Sequence, residues 1–331
     1  MFNNSVQRII QIANSNKKDK YNILTFPTHE RYETQLCKTG HNFFAFSHQN
    51  LKKWNEEQTE LPYNYHILEE NDLCDYLNYD FILAQSKFGQ IQLATQINQV
   101  LQIPIISLEH TTPTFSTMSL EQVEQMRRMT GHFNIFISEY SKQQWGIAGD
   151  VIHHGIDTNK FSPNTDIVKE NYILTVANDF VNRDYCLNYT GWKKITNGLK
   201  PRLVGDTKGL SLPASSIDNL VEEYNKCAVY FNSTTLSPIP MSLLEAMSCG
   251  CAIVSTATCM IPEIIKNGYN GYISNNEEEL RRYLEIVLND EGIRNELGYN
   301  ARQTIIDMFS ELKFINSWNT IFDKVYEVSS L

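Results

Sequence analysis

The chain has 331 residues, 42% hydrophobic and 20% charged, a balance that excludes a disordered chain and provides apolar material for two cores. The formal net charge is -10, divided as -4 up to Gly155 and -6 beyond it, so neither half has the positive charge expected of a nucleic-acid or anionic-lipid binder. No run of about 18 apolar residues exists to span a membrane, and the opening MFNNSVQRIIQIANSNKK lacks the apolar core of a secretory signal. Seven cysteines without zinc spacing, Cys249 and Cys251 among them, read as free buried thiols of a reducing compartment, so a cytoplasmic location is expected. Lys17, Lys18, Lys20, Lys52, Lys53, Arg127 and Arg128 fall in the first half and read chiefly as solvated faces, which leaves nucleic acid a partner that charge does not favour.

Short apolar runs alternate with helical patterns, the mark of an α/β fold. Strands are predicted at Tyr21–Pro27, Asn42–Phe46, Phe81–Ala84, Ile103–Leu108 and Phe133–Ile137, with helices at Glu30–Lys38 and Gln90–Leu101. A stretch rich in His, Gly, Pro and Asn, Val151–Asp166, reads as a linker, and the pattern restarts at Asn171. Strands follow at Tyr172–Ala177, Arg202–Gly205, Val229–Phe231 and Ala252–Ser255. Helices are predicted at Ile217–Lys226, Met241–Ser248, Glu277–Leu288, Glu291–Met308 and about Glu311–Tyr326. The stripe Phe314, Trp318 and Phe322 on the last helix has the spacing of packing residues. This division predicts an N-terminal Rossmann-like domain over 1–155, a second Rossmann-like domain over 156–310, and a C-terminal helix over 311–331 that packs back on the first. Doubly wound sheets bind ligands beyond the carboxyl ends of their strands.

The chemistry concentrates in Ser233–Gly271. Pro238 and Pro240 stiffen a loop, and a helix opens at Met241, where free N–H groups and the positive dipole end suit an anion such as a diphosphate. Glu245 lies about one turn inside, among Leu243, Leu244, Ala246 and Met247, so burial is expected. A buried carboxylate needs a partner, and a ribose diol would be one.

LLEAMSCGCAIVST…IPEIIKNGYNGYI resembles the C-terminal signature of the family-four retaining glycosyltransferases (group 1), which have the GT-B fold: two doubly wound Rossmann-like domains facing across a cleft. The resemblance implies that Glu245 binds the donor ribose. It departs at Ser237, where the family has a sugar-contacting Glu, and at Pro238-Ile239-Pro240, where it has Gly-Phe-Gly. Pro240 has no N–H, which leaves Ile239 and Met241 as backbone donors. VIHHGIDTNKFSP resembles the family's interdomain signature. In Tyr172–Asp184 the family's diphosphate-gripping Arg falls on Asn178 and its Lys on Arg183, a residue able to hold phosphate bidentately. Gly40-His41 matches the first domain's G-H strand, while Pro27-Thr28-His29 replaces its Gly-Gly loop. His110, in IISLEHTTP, falls where a family His lines the sugar cleft. The compact N-terminal domain also resembles, weakly, phage-encoded members, some of which glycosylate DNA bases.

The resemblance thus implies a metal-independent, retaining transfer of a hexosyl or pentosyl unit from a nucleoside-diphosphate sugar, UDP above all, to a hydroxyl acceptor. No Asp-x-Asp motif is present and no metal ligands or bound cofactor are expected. The catalytic set is His110, Arg183 and Glu245. Donor contacts are expected from Asn178, Gly205, Ser237, Ile239, Pro240, Met241 and Ser242, and an acceptor-side loop from Thr28, His29 and Thr111. Two alternatives are a transferase acting on hydroxymethylated phage DNA bases and a catalytically weakened nucleotide-sugar binder.

Overall fold

The computed structural model describes residues 18–47, 53–54, 59–68, 78–113 and 118–329; Lys17, Lys52, Cys74 and the rest of the opening stretch lie outside them. The chain divides into two compact units, one running to His154 and taking in Leu312 onward, the other Gly155–Glu311.

The first unit holds β1 (Asn22–Thr25), β2 (Asn42–Phe46), β3 (Tyr65–Leu68), β4 (Phe81–Ala84), β5 (Ile105–Glu109), β6 (Phe133–Phe136) and β7 (Asp150–Val151). They form one sheet in the order β3-β2-β1-β4-β5-β6-β7, with every pairing parallel. Parallel neighbours need crossovers, and α1 (Glu30–Cys37), α2 (Gln90–Leu101), α3 (Leu120–Arg127) and α4 (Glu139–Trp145) serve as four of them. Helices on both faces make the strands continuously apolar: all of β4, Phe-Ile-Leu-Ala, is buried. Strands β3 and β7 and helices α3 and α4 were not anticipated. The strands are short edge pieces, and the helices are polar. Helix α3 is announced only by a capping box, in which Ser119 and Gln122 each bond the other's backbone N–H.

The second unit holds β8 (Glu170–Val176), β9 (Pro201–Val204), β10 (Cys227–Asn232), β11 (Ile253–Ser255) and β12 (Tyr272–Ile273), all parallel in the order β12-β11-β10-β8-β9. Its helices are α5 (Asp184–Leu187), α6 (Tyr189–Ile195), α7 (Ile217–Lys226), α8 (Met241–Ser248), α9 (Ile261–Ile264), α10 (Glu277–Asn289) and α11 (Glu291–Phe309). From Leu243 onward every residue of α8 is buried. A helix apolar on all sides belongs to a core, and α11 covers it so closely that a Cβ at Gly298 would lie 2.2 Å from the Gly250 carbonyl oxygen.

The last helix, α12 (Glu311–Ser329), returns to the first unit. Its stripe of Phe314, Trp318 and Phe322 is buried. Trp318 Nε1 donates to the Tyr32 hydroxyl at 3.1 Å, and Phe322 stacks on Phe81 with centroids 6.0 Å apart. Cys37, Cys186, Cys227, Cys249 and Cys251 are buried free thiols and Cys259 is a partly exposed one.

One buried acid organises the first unit's carboxyl edge. Glu33, on α1, has no solvent exposure. Its Oε2 accepts the N–H groups of Thr28 and His29 at 3.0 and 3.2 Å, and its Oε1 accepts the Tyr65 hydroxyl at 2.7 Å and Gln85 Nε2 at 2.9 Å. One side chain therefore joins the loop after β1 to strand β3 and to the end of β4. Burial still outweighs these donors and pushes the carboxyl up to about 7.

Two outcomes are expected. A methyl at Gly298 must push α8 and α11 apart, so Gly298→Ala should lower the urea midpoint by the equivalent of about 1–3 kcal/mol. Glu33's folded value lies above its ordinary one, so its contribution is full below pH 4.5 and is lost as pH rises through about 7. Melts between roughly pH 5 and 8 should show wild type losing on the order of 3 kcal/mol relative to Glu33→Gln; parallel curves would refute this.

Candidate functional site

A parallel sheet opens a crevice where two neighbouring strands send their connections in opposite directions. In the second unit these are β8 and β10: β8 leads to β9 on one side, and β10 to β11 on the other. The loops leaving them carry Asn178 to Arg183 and Ser233 to Pro240. They are laced together, since Thr235 N and Leu236 N both donate to the Cys186 carbonyl, at 2.8 and 3.1 Å, and Ser233 Oγ donates to Leu187 O.

The second loop ends at Pro240, which occupies the N-cap of α8 without any side-chain cap. Leu243 N and Leu244 N already bond the Pro240 carbonyl. Met241, Ser237 and Pro240 are partly buried and Ile239 is buried. Arg183 is exposed at the N-cap of α5. Glu245 is only 3% exposed, and Tyr224 donates its hydroxyl to Glu245 Oε2 at 3.0 Å. Burial and the neighbouring carboxylate hold the Tyr224 phenol well above its ordinary range, so it stays a donor.

Three of the expected donor contacts have structural roles as well. Ser242 Oγ accepts from the Tyr230 hydroxyl at 2.9 Å and donates to Val176 O at 3.3 Å, so its side chain is turned to the sheet. Asn178 Oδ1 accepts Asp206 N at 2.8 Å and bridges the ends of β8 and β9. Gly205 has φ +134°, and a Cβ there would fall 2.0 Å from Ala177 O, so it permits close packing of those ends.

In the first unit the diverging strands are β1 and β4. Here the Thr28-His29 loop meets Gln85, and His110 stands just past β5. Gln85 N bonds Gln90 Oε1 at 2.8 Å, and Gln90 Nε2 bonds Thr28 Oγ1 at 2.8 Å. His110 Nε2 lies 3.3 Å from Gln85 Oε1. The His110 ring packs edge-on against Tyr32 at 4.6 Å and His29 at 5.0 Å, and stacks with His154 at 6.2 Å. Burial, then the neighbouring imidazoles, depress His110 well below the ordinary range and His154 to about 4, so both rings are neutral at physiological pH.

The polar groups expected to reach an acceptor are largely used internally. Thr28 and His29 give their N–H groups to Glu33, and the Thr28 hydroxyl donates to Phe26 O. Thr111 spends both its N–H and its hydroxyl on Glu109 Oε1, at 3.0 and 2.6 Å. His41 is core: its Nδ1 accepts Tyr21 N and its ring meets Phe322. Sequence reasoning missed Glu33, Gln85, Gln90, His154 and Tyr224. Only Gln85 carried a signal, as the first residue past the fully apolar run of β4.

A cavity of about 610 Å³ lies elsewhere, at the amino edge of the second sheet, lined by Lys169, Asn225, Gly250, Arg294 and Arg302 among others. Its cations are occupied by helix ends. Lys169 bonds Asn225 O in the last turn of α7, Arg294 bonds Val287 O in α10, and Arg302 bonds Ser248 O at the end of α8. The diverging loops of the opposite edge are the better candidate site.

Residues 211–304 match the family model described as glycosyl transferases group 1. The chain is similar to an uncharacterized glycosyltransferase of Methanocaldococcus jannaschii, with 33% identity over 25% of this chain. It is also similar to N-acetyl-alpha-D-glucosaminyl L-malate synthase of Bacillus anthracis, with 30% identity over 24% of this chain. Each match spans 22% of the relative's own length. Among solved structures, Anabaena HepE in complex with UDP is similar at TM-score 0.71 and 13% identity, over 92% of this chain and all of that one, and HepE is also solved with UDP-glucose. Sucrose-phosphate synthase from Thermosynechococcus elongatus gives TM-score 0.74 and 12% identity, over 94% of this chain and all of that one. At such identities the structural likeness shows the fold. The chain thus has two parallel-sheet Rossmann-like domains of the GT-B type, and its residues 211–304 match the group 1 glycosyltransferase model.

Proposed function

We propose that the protein is a retaining, metal-independent glycosyltransferase that moves a sugar from a UDP-sugar to a hydroxyl acceptor. The observation that carries this reading is the α8 amino end. It lacks a side-chain cap, ends the loop at the second sheet's switch point and lies inside the family-matched segment. Such an end suits a diphosphate, because its N–H groups and dipole stabilise the charge that gathers on the leaving phosphate. Arg183, on the loop laced to it through Cys186, adds an exposed cation. Glu245 is assigned to the ribose diol, with Tyr224 orienting its carboxylate. The incoming hydroxyl attacks on the face the diphosphate leaves, and the departing phosphate takes its proton. The UDP and UDP-glucose complexes of HepE and the glucosaminyl chemistry in the Bacillus name favour a UDP-hexose.

Titration calorimetry in EDTA should show UDP-glucose binding with an affinity that added Mg²⁺ leaves unchanged; loss of binding in the chelator would end the metal-independent reading. Glu245→Gln keeps the side chain's volume and should weaken UDP binding by about tenfold. Arg183→Ala should lower the turnover of donor hydrolysis by roughly 10²-fold or more. Full activity in both variants would remove these residues from the site.

A further inference from the structure

We propose that Glu33 and Gln85 are positioning residues that fix His110 in its Nε2-protonated tautomer and leave Nδ1 as the ring's acceptor at the carboxyl edge of the first sheet. The inference deepens the reading above, on which His110's role toward a sugar hydroxyl rests.

The case is one of proton bookkeeping. Above the value of about 7 to which burial raises it, Glu33 is ionised, and an ionised carboxylate only accepts. Both Glu33 oxygens are engaged, Oε2 by two backbone N–H groups and Oε1 by the Tyr65 hydroxyl and Gln85. Gln85 must therefore turn its amide nitrogen to Glu33. That nitrogen also lies 3.3 Å from Thr25 Oγ1, whose own proton goes to Leu83 O at 3.0 Å, so Thr25 is left to accept. With both amide protons placed, the Gln85 oxygen points to His110 Nε2 at 3.3 Å. An amide oxygen cannot donate, so Nε2 carries the proton. The neutral ring then has its lone pair on Nδ1. Gln90 pins the Gln85 backbone and the Thr28 hydroxyl at once, which holds the relay in register.

Glu33→Gln reverses the logic without removing volume. Its oxygen is drawn to the Thr28 and His29 N–H groups, which can only donate, and its NH₂ then faces Gln85. Gln85 turns over, presents NH₂ to His110, and strips the proton from Nε2.

Two-bond ¹H–¹⁵N correlation spectra of the full chain labelled at histidine, at about pH 8, where neutral histidine predominates, read the tautomer directly; His110→Phe assigns the signal. Wild type should give the Nε2–H pattern, and Glu33→Gln the inverted Nδ1–H pattern. Gln85→Met, which removes the acceptor together with the amide that donates to Glu33, should turn the single pattern into a mixture and serves where Glu33→Gln does not fold. A wild-type Nδ1–H or imidazolium pattern, or folded variants with an unchanged pattern, overturns the proposal. UDP-glucose titration of the same samples separates the two readings: a wild type that fails to bind sinks the transferase assignment, whereas the spectra decide the tautomer by themselves.

Discussion

A carboxylate with no solvent contact is tolerated only where the fold supplies it with donors, and at Glu33 that requirement shapes a whole sheet edge. Its four hydrogen bonds come from the β1–α1 loop, from β3 and from β4. The Thr28-His29 turn therefore does not need glycine. Its N–H groups are turned inward by an acid, where a glycine-rich loop would leave them open to a ligand. The edge is held by these hydrogen bonds, and beside them stands the cluster of imidazoles at His29, His110 and His154.

The second unit solves the opposite problem. Helix α8 is buried nearly throughout, so its orientation is set by packing under α11, and only its first turn is partly open. Close backbone approach at Gly250 and Gly298 lets α11 pack against the carboxyl end of α8. Tyr224, from α7, reaches into the same core to hold Glu245. Each feature near the switch point is thus supported from beneath by apolar burial and from the side by loop-to-loop hydrogen bonds.

Much of this was legible in the sequence. Apolar periodicity located nearly every long strand and helix, and α2, α7 and α8 begin and end at the predicted residues. What pattern could not locate were elements whose stability is tertiary, such as edge strand β3, or signalled only by caps, such as α3 and α4. Among site residues, Glu245 was correctly read as buried among leucines, but its partner Tyr224 lies in a different helix and no spacing rule joins them. Ser242, Asn178 and Thr111 looked like free polar groups because sequence lists donors without showing what consumes them. Glu33 fell within the predicted helix Glu30–Lys38 with nothing in the sequence to single it out. Its burial depends on Tyr65 and Gln85, which are distant in the chain and adjacent only once the sheet is assembled.

The return of α12 to the first unit has a consequence for biosynthesis. The unit that begins first is finished last, since Tyr32 and Phe81 await Trp318 and Phe322 from the far end of the chain. Gly155–Glu311 is continuous and can complete its core on emerging from the ribosome, inverting the usual amino-to-carboxyl order of domain maturation. Until α12 has been synthesised, the nascent first unit exposes the aromatic surface that this helix will cover, which makes that interval the period when a chaperone has most to protect.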